Sequence, residues 1–196
     1  MTVFARLGAF LIAALLAACY PTTQQPIGSS TPQTADARLA GGWKGAPKDP
    51  KDGPNYLFFL PRKDNNFEAV MVYPAHGDDK ASWMSFALST AKVGKNDFIN
   101  GQVVLDDGQP SKDADKNYTP VWYRFDKDGT LRLFMLDEKA MEAAIAKGEI
   151  KGDVNKSTFG DDVNITADAK TLDAFFASHD PNTLFTDPLG TYRRIK

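Results

Sequence analysis

The chain has 196 residues, with 23 Lys and Arg against 25 Asp and Glu, and a single cysteine. Basic and acidic residues are interspersed without a like-charged cluster, which excludes nucleic acid as a natural partner. One thiol allows neither an internal disulfide nor a thiolate metal site, so the fold has to be held by apolar packing.

The chain opens with MTVFARLGAFLIAALLAAC. Arg6 and the terminal amine precede a twelve-residue apolar stretch, Leu7 to Ala18, which has the layout of a secretory signal. It is too short for the roughly 20 apolar residues that cross a bilayer. Leu16-Ala17-Ala18-Cys19 resembles the bacterial lipobox. That resemblance implies a signal peptide at 1–18, cleavage before Cys19 and acyl chains on the Cys19 sulfur and its new amine. Two or three such chains hold a protein at a membrane, where one is marginal. Tyr20 stands where an aspartate would resemble an inner-membrane retention signal, which implies, for a Gram-negative source, the outer membrane facing the periplasm.

Residues 20–38, YPTTQQPIGSSTPQTADAR, carry little apolar surface to offset their ordering entropy and read as a flexible tether. From residue 39 to 196 apolar residues recur every few positions, as in a single β-rich domain. Tyr56–Leu60 and Phe67–Tyr73 read as a hairpin, followed by Trp83–Val93 with Phe98–Leu105, and by Val121–Phe125 with Leu131–Leu136. A helix is predicted from Glu138 to Lys147 behind Asp137, and a second over 167–178 behind Thr166, with Leu172, Phe175 and Phe176 as its buried stripe. Val163–Ile165 and Thr191–Ile195 read as closing strands. The expected fold class is mainly β: an antiparallel meander closed into a barrel or curled sandwich, with two short helices in the C-terminal third.

Gly41-Gly42-Trp43 resembles the Gly-x-Trp that opens the first strand of lipocalins and their calycin relatives. In those proteins the Trp packs under a basic residue from a late strand. The resemblance implies a barrel-closing pair of Trp43 with Arg193 or Arg194, and strand alternation allows only one of the two arginines to face inward.

Candidate chemistry is sparse. Asp126-Lys127-Asp128-Gly129 begins like a calcium loop but sits between strands, where a hairpin turn is the better reading. His76-Gly77-Asp78-Asp79 and His179 lie in separate loops, so no shared metal site is expected. Asp106-Asp107 and Asp161-Asp162 are neighbours whose side chains diverge on a strand and read as solvated turns. Phe58, Trp83, Phe86, Trp122 and Phe134 suit either a packed core or a cavity lining. No catalytic residue, metal or cofactor is assigned. The leading expectation is a non-enzymatic, lipid-anchored envelope protein that binds an envelope partner or a small apolar ligand, with membrane attachment through Cys19. An alternative is a periplasmic protease-inhibitor lipoprotein, by similarity to small bacterial metalloprotease inhibitors that join a lipocalin-like barrel to a flexible N-terminal segment. A hydrolase of unknown substrate is third.

Overall fold

Period-two burial marks the long strands. Along β3 (Tyr56–Pro61) Leu57 and Phe59 are buried between more exposed neighbours, and along β4 (Phe67–Tyr73) Phe67, Ala69 and Met71 are, so one face of each strand turns to a common interior. The computed structural model describes residues 20–47, 53–75, 80–111, 117–156 and 161–196. The signal segment, Cys19 and His76 to Asp79 lie outside the described residues. Besides β3 and β4, the strands are β1 (Thr22–Thr23), β2 (Gly41–Gly45), β5 (Ser82–Val93), β6 (Asn96–Asp106), β7 (Gln109–Pro110), β8 (Thr119–Phe125), β9 (Leu131–Met135), β10 (Gly152–Asn155), β11 (Asp162–Ile165) and β12 (Asp187–Arg194).

Eight of these form a ring in the order β2, β3, β4, β5, β6, β8, β9, β12, each antiparallel to its neighbours, with β12 returning to β2. The sheet is therefore a closed antiparallel barrel, which removes the free edges that an open sheet would expose. At the seam Tyr192 pairs with Gly45, Arg193 with Lys44 and Arg194 with Trp43. Tyr192 is fully buried, with its ring over Gly190 of its own strand; a Cβ on Gly190 would stand 2.7 Å from that ring. The seam thus depends on a glycine two residues before the buried Tyr192.

Between β9 and β12 the chain leaves the ring. Helix α1 (Glu138–Ala146) is capped by the Asp137 carboxylate, α2 (Ala169–Ser178) by Asp168, and the single turn α3 (Pro181–Leu184) by Asp180. The cap of α2 is Asp168 and not Thr166: its carboxylate accepts from the backbone N–H and the hydroxyl of Thr171, a stronger acceptor for the partial positive charge of a helix start. The turn α3 is a helical turn beyond the two expected, with proline at a first-turn position that needs no N–H. These elements cover the outer faces of β5, β6, β8 and β9. Phe98 of β6 meets Phe176 at 5.8 Å and Phe185 at 5.6 Å between ring centroids. Each such burial contributes about 2–3 kcal/mol. Val93, Trp122 and Phe134 join this outer core, while Leu57, Phe59, Ile99, Val121, Leu133 and Met135 fill the inner one.

Residues 20–38 are not a tether. They form a strap laid along the outside of the barrel. Thr22 and Thr23 add β1 parallel to β11, which also pairs antiparallel with β10. Thr23 and Tyr118 exchange backbone hydrogen bonds of 2.9 and 2.8 Å. Ile27, 1% exposed, enters the outer core, and Asn100 of β6 both donates to its carbonyl and accepts from its N–H. Asp173 of α2 accepts from the backbone of Gly28 and Ser30 and from the Ser30 hydroxyl. Gly28 has φ +86°, and a Cβ there would lie 2.3 Å from the Ala91 Cβ, so only glycine passes at this point. The strap is polar because it is held by hydrogen bonds from distant residues and puts only one large side chain, Ile27, into the outer core.

Candidate functional site

The two ends of the barrel differ. At one end the turn after the strap places Leu39, fully buried, beneath Trp43, and the indole N–H of Trp43 donates to the Leu39 carbonyl at 2.7 Å. The Arg194 guanidinium lies 4.3 Å from the Trp43 ring centroid and donates to the carbonyls of Ala40, at 2.5 Å, and Arg38. Arg193 points the other way, 80% exposed, 3.7 Å from Asp128. Of the two arginines, Arg194 is brought to Trp43 and Arg193 is not. Asp36 sits beside this plug and accepts from Arg38 and, at 2.7 Å, from the Tyr123 hydroxyl inside the barrel. Burial alone would raise the Asp36 pKa, but these hydrogen bonds outweigh it and hold the carboxyl below its ordinary value. Burial, and the bond to Asp36, push the Tyr123 phenol well up. Arg38 also reaches Asp97 at 2.8 Å and covers Phe125. This end is closed.

The other end holds a cavity of about 130 Å³. Its walls are alternate residues of successive strands: Leu57 and Phe59, Ala69 and Met71, Met84, Phe86 and Leu88, Ile99 and Val103, Val121, Leu133 and Met135, with Gly101 leaving room in β6. Apart from Thr119 and the phenols of Tyr20 and Tyr73, the lining is hydrocarbon, thioether or glycine. Met71 and Met84 are register partners on β4 and β5, and flexible thioethers adapt to irregular apolar shapes. The Tyr73 hydroxyl donates to the Met71 sulfur, and burial raises its pKa, so this phenol stays neutral. At the rim the Tyr20 hydroxyl donates to Asp187 at 2.7 Å. Both barrel bulges fall at this end. One inserts Leu189 into β12 and turns it to the cavity; the other inserts Val104 into β6. Bulges of this kind re-aim side chains at barrel rims.

The remaining sequence candidates do not converge on the cavity. Among Phe58, Trp83, Phe86, Trp122 and Phe134, only Phe86 lines it. Trp122 and Phe134 stack on each other at 4.9 Å beneath the helices. Asp126 to Thr130 is a hairpin turn closed by Asp126 N–H to the Thr130 carbonyl at 2.8 Å, with Asp126 also held by Arg132. His179 ends α2, its ring 4.1 Å from that of Phe175. Asp107, in the left-handed region at φ +45°, accepts from the backbone of Trp83. One acidic cluster was not foreseen: carboxylate oxygens of Glu138, Glu142 and Asp161 lie within 4.8 Å of one another. The Lys156 ammonium already joins it, 2.5 Å from Asp161 and 3.0 Å from Glu142, and its pKa is raised by those bonds. The set is an ion-pair cluster that carries its own cation.

The cavity residues were visible as strand positions, yet their facing was not, because the helices make the outer face of β6, β8 and β9 equally apolar. Compared with protein-family models, curated proteins and solved structures, the chain matches none of them. The chemistry such a lining offers is exclusion of water. Among the described residues its lining offers two phenols, one threonine hydroxyl and no charged side chain.

Proposed function

We propose that this chain is a non-enzymatic, lipid-anchored envelope protein, held by acyl chains on Cys19, whose barrel takes up a slender apolar ligand. The observation that carries the binding half is the apolar cavity at one end of a barrel plugged at the other. The anchor half is supported by the lipobox-like Leu16-Ala17-Ala18-Cys19 behind its apolar run, and for a Gram-negative source the outer membrane, facing the periplasm, is the place that follows. A ligand is favoured over an envelope protein as the bound species because the apolar surface is concave and internal. The inhibitor alternative needs a free N-terminal segment to enter a protease, and here residues 20–38 are committed to the strap.

The test uses the Cys19→Ala chain and a fluorescent fatty acid. Saturable one-to-one uptake is expected, displaced by unlabelled fatty acid. Val103→Trp, which fills the cavity where it opens, should weaken uptake at least tenfold with little change in melting temperature. Absence of saturable uptake by the Cys19→Ala chain refutes the binding half. Processing and membrane fractionation of that variant in cells test the other half: it should stay unprocessed or leave the membrane fraction, and a variant processed, acylated and fractionated like the parent refutes the anchor.

A further inference from the structure

We infer that the barrel mouth is held face-on against the bilayer, and that the cavity is filled from there by one acyl chain of a membrane lipid. This rests on the anchored-barrel reading above and goes beyond it in naming the docking surface, the orientation and the source of the ligand. Its basis is where the strap begins. Tyr20 follows Cys19 directly, its ring lines the cavity and its hydroxyl is bonded to Asp187 at the rim. An anchor on Cys19 would therefore be joined to a residue at the mouth by a single peptide bond, with no intervening residue.

A free tether of 19 residues would let the domain wander about 25 Å and present any face. The strap removes that freedom. Its first residues are fixed by the Thr23–Tyr118 exchange and by Gln24 N–H to the Ile165 carbonyl at 3.0 Å, and Ile27 is sealed in the outer core. The anchor therefore cannot reach round to the plugged end, where Trp43 and Arg194 sit. Tyr20, at the head of the strap, and Tyr73 and Trp83, at the mouth ends of β4 and β5, are the residue types that settle at a membrane–water interface. With the mouth against the bilayer, an acyl chain moves from one apolar medium to another without crossing water. An unbranched chain suits a lining that, among the described residues, offers almost no hydrogen-bonding group, and a cavity of about 130 Å³ takes the terminal part of that chain.

A second apolar surface sets the competing pose. Phe58 and Val70 are register partners on the outer face of β3 and β4, beside exposed Leu60 and Ile195 near the plugged end, and lying on that face would turn the barrel on its side.

The experiment reconstitutes the acylated full chain in phosphatidylethanolamine–phosphatidylglycerol vesicles. Polarity-sensitive labels are placed singly at Lys80→Cys, at the mouth end, at Asp128→Cys, on the β8–β9 turn at the plugged end, and at Leu60→Cys. Nitroxide lipids should quench the label at position 80 several-fold more than those at 60 and 128. A 20-residue Gly/Ser insertion between Cys19 and Tyr20 should abolish that difference and slow the uptake of a fluorescent phospholipid from the same vesicles several-fold. Equal quenching at 60 and 80 means a side-on pose and overturns the inference, as does quenching strongest at 128. Unchanged uptake in the insertion variant overturns delivery from the membrane. Chain that fails to float with the vesicles shows that the anchor reading has failed, a result separate from any labelling pattern. Loss of fatty-acid uptake by the Cys19→Ala chain would likewise mark failure of the binding reading itself.

Discussion

The guanidinium of Arg194 covers the Trp43 ring and donates to two backbone carbonyls of the plug, whereas that of Arg193 reaches only Asp128 in solvent. Arg194→Ala should cost about 1–3 kcal/mol from the lost cation–π contact and charged hydrogen bonds, a fall of roughly 3–10 °C in melting temperature for a domain of this size. Arg193→Ala should stay within about 0.5 kcal/mol. Arg194→Lys should not restore the loss, since an ammonium cannot donate to both carbonyls and lie flat on an indole. Thermal melts of the three variants decide the matter. Asp36 makes the same end sensitive to acid. Its folded pKa lies below the ordinary 3.8, so its contribution is fully present above that value and is lost as pH falls through the folded one. Melting temperature should be flat from neutrality to about pH 5 and drop below about pH 4. Asp36→Asn should melt lower at neutral pH and show a shallower acid limb.

At the scale of elements, the strap is the part that composition misjudged. YPTTQQPIGSSTPQTADAR looks like a linker because a linker and a strap share a poverty of apolar residues. What separates them lies elsewhere in the chain, in Asn100, Tyr118 and Asp173, and no local window contains those partners. Ile27→Ala should cost about 2–4 kcal/mol, as for other fully buried large-to-small changes, while Gln25→Ala, on an exposed position, should be neutral. Deletion of 20–35 should lower the melting temperature by more than about 10 °C, because it removes the Ile27 side chain and strips β11 of its parallel neighbour. A deletion variant that melts like the parent would restore the tether reading. The helices were easier to place. Asp137 begins α1 where its carboxylate meets the Ala140 N–H, and Leu172, Phe175 and Phe176 form the buried stripe of α2. The choice between Thr166 and Asp168 as a cap was missed, both being good acceptors in the same short stretch, and so was the single turn α3.

For the molecule as a whole, closure was legible where strands, turns and a tryptophan near one end with arginines near the other pointed to a ring. The inside of that ring was not. Ile99 and Phe98 are adjacent and both buried, one in the barrel and one under α2, so hydrophobic alternation fades where a second layer covers the sheet. A barrel sealed by its first and last long strands also has a timetable. The Arg194–Ala40 hydrogen bond joins residues 154 apart, and the Tyr192–Gly45 pair at the other end of the seam is hardly more local. Any process that delivers the chain N-terminus first leaves β2 an open edge until β12 arrives. Translation at ~5–20 residues per second makes that wait roughly 8–30 s, long beside the ms–s in which β-rich domains fold. Throughout the interval Trp43 has no arginine above it, and the cavity has no wall along Leu189.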